Sequence, residues 1–129
     1  MRIDTEIRIT LRFLWEISRR LRKTLQRNIT LIGVFEYGES YIQSEDPYVD
    51  FLKIISRHLK PDGKIILAIE NKLGLKYWAG CTEDHFGTLF EGIQGYPNTK
   101  GVKTFSKKEF NAILQNAGNL KADWYYPYP

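Results

Sequence analysis

The tripeptide Glu83-Asp84-His85 is the densest chemistry in this 129-residue sequence. A neutral imidazole can take a proton near neutral pH, and an adjacent carboxylate can orient its ring. His85 with Asp84 is therefore the candidate general base for a hydroxyl acceptor. The plain alternative is a surface histidine in a polar turn. Four further polar residues stand where two apolar runs end: Glu36 and Tyr37 after the first, Glu70 and Asn71 after the second. For Glu36 the plain alternative is an exposed loop carboxylate. Tyr77, Trp78 and Tyr96 offer faces on which a sugar or an adenine ring can stack, although aromatic residues in loops more often simply pack. Cys81, Asp84 and His85 are close enough in sequence to suggest metal ligation. Three such groups with no second cluster make a poor zinc signature, and no metal is expected. His58 reads as structural.

The elements that must position these residues are two strands of like composition. Ile29, Leu31, Ile32, Val34 and Phe35 leave no polar face, and neither do Ile65, Ile66, Leu67, Ala68 and Ile69. A strand with one wet face alternates, so the runs Ile29 to Tyr37 and Gly63 to Asn71 read as strands buried on both faces, as in a parallel sheet. Between them Asp46-Pro47 opens a helix, with Asp46 as N-cap and Pro47 at its first position. Phe51, Leu52, Ile55 and Leu59 form its buried stripe. Lys60-Pro61-Asp62-Gly63 is the turn that ends the helix and launches the second strand. The order strand, helix, turn, strand is a βαβ unit with a right-handed crossover. In such sheets ligands bind beyond the carboxyl ends of the strands, where the two glutamates stand.

The segment from Lys72 to Thr104 has weak periodicity and many glycines. A loop of this length is usually functional or disordered, and its aromatic content argues against disorder. It reads as an ordered lid or substrate-binding insertion, with a short helix near Leu73 to Trp78. Ser106 and Glu109 form a capping box flanked by Phe105 and Phe110. The helix that follows turns Phe110, Ile113, Leu114 and Ala117 inward and ends at Gly118. Leu120 to Tyr126 reads as a last strand.

One domain is the prior for this length. No apolar run approaches the roughly 20 residues of a membrane span, and the first residues lack the apolar core of a signal peptide. The single cysteine, Cys81, excludes an internal disulfide. These features point to a soluble cytoplasmic protein. The net charge of +4 is uneven: residues 1–28 carry eight Lys/Arg against three Asp/Glu, and the remainder eleven against twelve. In the first segment Ile3, Ile7, Ile9, Leu11 and Phe13 alternate as in a strand, and Leu14, Ile17, Leu21 and Leu25 recur as in a helix. A single helix over the whole segment fits as well. Its cluster Arg19-Arg20-Leu21-Arg22-Lys23 reads as a solvated helix face rather than a nucleic-acid site, because no aromatic residues are interleaved with it. The shift in composition after residue 28 suggests a truncated or non-native start; an ordinary Arg-rich helix is the plain alternative.

The run ITLIGVFEY, and then HLKPDGKIILAIENKLGLKYWAG with EDHFG, EGIQGYP and GVKTFSKKEF, resembles the carboxyl-terminal half of class I S-adenosylmethionine-dependent methyltransferases. The likeness is to bacterial members associated with sugar and cell-surface polysaccharide biosynthesis, and it covers residues 29–129. It implies an α/β, Rossmann-like and mostly parallel sheet with flanking helices, and S-adenosylmethionine as cofactor. It assigns Glu36 and Tyr37 to the cofactor-side wall. Glu70, Asn71, Tyr77, Trp78 and Tyr96 fall on the side of a small-molecule or sugar acceptor. The glycine loop of such enzymes, and the acidic residue that holds the cofactor ribose, are missing from the sequence. Weak or absent cofactor binding by this chain is therefore expected, and a catalytically silent binding module is the alternative. With no strand-one equivalent to cover Ile29 to Phe35, that edge is expected to pair with a second copy in a homodimer.

Overall fold

The computed structural model describes residues 25–127. The strand and helix expected within residues 1–24, and the basic cluster there, lie outside the described residues.

Strand β1 (Gln26–Ile32) pairs in parallel with strand β2 (Leu59–Ala68). The register sets Ile29 opposite Ile65 and Leu31 opposite Leu67. A one-turn 3-10 helix (Phe35–Tyr37), helix α1 (Gly38–Tyr41) and helix α2 (Pro47–Ser56) make the crossover. The expected βαβ unit is therefore present. Helix α3 (Leu75–Trp78) and helix α4 (Lys107–Asn116) follow. Among the described residues no helix is long and apolar enough to cross a membrane.

Local signals account for the helices. Pro47 supplies a fixed φ at the start of α2; Asp46 stands at its N-cap, but its side chain makes no capping bond. Tyr48, Val49, Phe51, Leu52 and Ile55 turn inward. Leu59, expected on this stripe, instead begins β2, because α2 closes with His58 N–H donating to the Ile55 carbonyl. The capping box of α4 is complete, with the Ser106 hydroxyl accepting from the Glu109 amide and the Glu109 carboxylate accepting from the Ser106 amide.

The core centres on Phe35, which is fully buried. Its ring meets those of Tyr48, Phe51, Phe105 and Phe110 at centroid distances of 5.3–5.9 Å. Phe35 was expected to extend the first strand. Gly33 prevents this: its φ of +62° lies in the left-handed region and breaks the extended run. The chain then folds over the end of the sheet and drives Phe35 under α2. The strand is shorter at this end than expected and begins earlier, at Gln26.

The expectation of strands buried on both faces does not hold among the described residues. Leu31 is buried, and Ile29, Ile65, Leu67 and Ile69 pack against the same core as α2 and α4. On the other face Ile32 is 65% exposed and Ile66 56%. Both helices lie on one side, so the pleat sends alternate residues into the core and into solvent. The last strand is also absent: residues 120–127 form no ladder. Trp124 takes its contact edge-on from Phe110 on α4, at 5.6 Å.

Candidate functional site

Glu36 follows Phe35 on the 3-10 turn, so the residue that plugs the core also fixes the carboxylate beside it. The Glu36 carbonyl accepts from the Tyr48 hydroxyl at 3.0 Å and from the Lys103 amide at 2.9 Å. These contacts pin the turn to α2 and to the chain entering α4. Glu36 is consequently 2% exposed rather than a loop carboxylate in solvent. Burial pushes its carboxyl above the ordinary value, with Glu70 adding to the shift and its own backbone amide and His85 opposing it. Its Oε2 has no hydrogen-bond partner.

Glu70 lies two residues past β2, and His85 arrives from the long insertion. Ligand atoms of Glu36, Glu70 and His85 lie within 4.8 Å of one another, with His85 Nε2 4.0 Å from Glu36 Oε1. The Tyr37 ring stands edge-on to the imidazole at 5.7 Å. Both strand-end carboxylates and the histidine are thus brought together at the carboxyl end of the parallel pair.

His85 is oriented by Glu83, not by its neighbour Asp84. Glu83 Oε1 lies 2.8 Å from His85 Nδ1, and Oε2 accepts the backbone N–H groups of His85 and Phe86 at 2.7 and 2.8 Å. Burial alone would raise the Glu83 pKa, but these bonds outweigh it and the pKa lies below the ordinary value. Ring and carboxylate form a fixed pair, with Nδ1 as its donor and Nε2 turned to Glu36. Asp84 points the other way. Lys76 and the Tyr77 hydroxyl donate to its Oδ2 at 2.6 and 2.8 Å, and they hold its pKa down against the effect of burial.

The aromatic residues divide. Tyr77 and Tyr96 are buried, so neither presents an open stacking face. The Tyr96 hydroxyl donates to Glu83 at 3.2 Å and shares a 2.7 Å bond with Thr104, and burial pushes its pKa up to about 12. Trp78 is 60% exposed and has an available ring. Asn71 uses its Oδ1 to accept from the Leu73 amide, which shapes the entry to α3.

Sequence reasoning passed over two residues of the insertion. Glu83 was visible only as one of two adjacent carboxylates; the signal was its place two and three residues ahead of the amides it accepts. Glu91, 1% exposed, accepts from the Asn98 amide at 2.9 Å, the Asn98 side chain at 3.1 Å and the Thr99 hydroxyl at 2.9 Å. Glu83 and Glu91 thus organise the insertion around buried carboxylates. Cys81 is exposed and lies outside the Glu36–Glu70–His85 group.

No protein-family model, curated protein or solved structure matches this chain.

Proposed function

We propose that this chain is the acceptor-side half of a Rossmann-like, S-adenosylmethionine-dependent methyltransferase, in which His85 acts as general base on a hydroxyl of a small molecule or sugar. The observation that carries the reading is the Glu83–His85 pair beside Glu36 and Glu70, at the carboxyl end of two parallel strands. Glu83 anchors Nδ1, so Nε2 presents the lone pair that accepts the hydroxyl proton. The acceptor oxygen is thereby left able to attack. The cofactor, when bound, supplies the methyl group and leaves as S-adenosylhomocysteine. Glu36 and Tyr37 line the cofactor side; Glu70, Asn71 and the exposed Trp78 line the acceptor side. Tyr77 and Tyr96 act from behind, through Asp84 and Glu83. The missing glycine loop favours weak cofactor binding and, as a second reading, a silent module. A cytoplasmic location belongs to the same proposal.

Labelled methyl transfer from S-adenosylmethionine to a panel of sugars, with a chelator present, tests the reading. The expected cofactor affinity is millimolar, about −4 kcal/mol, not the roughly −8 kcal/mol of a micromolar site. Label transfer at saturating cofactor should fall about 100-fold in His85→Ala. Transfer that is undiminished in His85→Ala removes the base assignment; no transfer to any sugar leaves the silent module.

A further inference from the structure

We infer that Glu36, Glu70 and His85 form a binding site for a divalent cation of the manganese class. Two carboxylates and one imidazole are a donor set suited to such ions, and three protein ligands leave positions open for water or a ligand hydroxyl.

Two independent features point the cluster at a cation. The first is Glu36. Its side chain is 3% exposed, and Oε2 is buried without a hydrogen-bond partner. Burying a carboxylate is costly unless it is paired or coordinates a metal. The second carboxylate of the cluster, Glu70, aggravates that cost, and His85 Nε2 at 4.0 Å is beyond hydrogen-bond distance. A divalent ion between the three groups removes the conflict.

The second feature is Glu83. A metal-ligating histidine almost always donates its other ring N–H to a carboxylate or carbonyl, which fixes the tautomer and directs the lone pair at the ion. Glu83 Oε1 receives Nδ1 at 2.8 Å and is itself held by two backbone amides, so this support is already in place. Ligand atoms about 2.1 Å from one ion lie about 3 Å apart. Separations within 4.8 Å close to that value by modest side-chain rotation. Glu70 is only half-buried and lies past the end of β2, where it has room to turn.

This site does not rest on the methyl-transfer reading, and its test needs no cofactor. A bound cation would take up the Nε2 lone pair, and its positive charge would make a hydroxyl bound to it easier to deprotonate. The cation-free chain is the form in which His85 serves as base.

Manganese is the probe of choice, because exposed Cys81 is a ligand for zinc in its own right. Titration of the full chain with Mn2+, followed by loss of the free-ion electron paramagnetic resonance signal, should give one ion per chain. Glu70→Gln and His85→Asn should each weaken binding by at least about 10-fold, while Glu45→Gln, at an exposed position outside the insertion, should leave it unchanged. Amide spectra of each variant report its fold. In the wild-type chain, paramagnetic broadening should centre on residues 36, 70 and 85, which decides the location even where a variant fails to fold. Undiminished free-ion signal up to millimolar chain, equal binding by both ligand variants, or broadening centred elsewhere would overturn the inference.

Discussion

His85 Nδ1 and Glu83 Oε1 lie 2.8 Å apart, and the carboxylate that holds the ring is itself held by the amides of residues 85 and 86 and by the Tyr96 hydroxyl. Every one of these partners is a donor. Glu83→Gln replaces one accepting oxygen with an amide NH2, which must face a donor. The variant should lose about 1–3 kcal/mol of stability, and the His85 ring resonances should move as the imidazole loses its anchor. Urea denaturation and imidazole proton spectra measure the two effects; an unmoved ring would show that Glu83 does not orient it.

Phe35 touches four aromatic rings and has no exposed surface. Phe35→Ala should cost about 3–5 kcal/mol through lost burial and the cavity left behind. The neighbouring Glu36 should become accessible at the same time, because the turn that buries it is anchored by that ring. A loss below about 1 kcal/mol would contradict the central place given to Phe35.

Acid should loosen the insertion through Glu91. Burial opposes its ionisation, but bonds from Asn98 and Thr99 prevail and hold its pKa below the ordinary value of 4.5. A carboxylate with a depressed folded-state pKa stabilises the fold above its unfolded value, and the contribution is lost as pH falls through the folded value. Melting temperature should therefore drop below about pH 4.5 in the wild-type chain. The drop should be shallower in Glu91→Gln, which carries no charge to lose. Identical pH profiles would assign the acid sensitivity to other groups.

Among the described residues, β1 pairs only with β2, and Ile32 and Ile66 are exposed on the open face. We propose that this edge and face join two copies about a two-fold axis, since a strand edge is a template for pairing. Light scattering should report twice the monomer mass at high concentration and a shift toward the monomer in Ile32→Lys. A monomer at every concentration would end the idea.

Much of the crossover could be read from local chemistry. Pro47 marks one helix start through its fixed φ, the Ser106–Glu109 box marks another through contacts three residues apart, and the parallel pairing follows from strand, helix and strand in that order. The burial of the strands was not legible in this way. An apolar run such as ITLIGVF reveals that its side chains tolerate burial, not that a second layer exists to bury them. Glu36 shows the same limit, because its burial depends on Tyr48 and Lys103, the latter distant in sequence. The choice between Glu83 and Asp84 was lost for another reason. Adjacent carboxylates look alike in sequence, and a single turn of backbone sends one to His85 and the other to Lys76.

The irregular start of β2 has a bearing on how the protein tolerates changes in length. Pairing runs from Gln26 with Leu59 to Asn28 with Lys64, so β1 advances two residues while β2 advances five. The excess is taken up by Lys60, Pro61 and Asp62, all exposed, and by Gly63, where a Cβ would sit 2.9 Å from the Lys60 carbonyl oxygen and 3.1 Å from that of Arg27. The bulge acts as a slack joint upstream of the regular ladder. Residues added or removed among the three exposed positions should be absorbed there, with Lys64 to Ala68 keeping their partners. One residue added after Ala68 has no such buffer and displaces Glu70 from Glu36 directly. Peptide tags or affinity handles therefore belong at Lys60 to Asp62, where the frame that carries the two carboxylates is insulated from them.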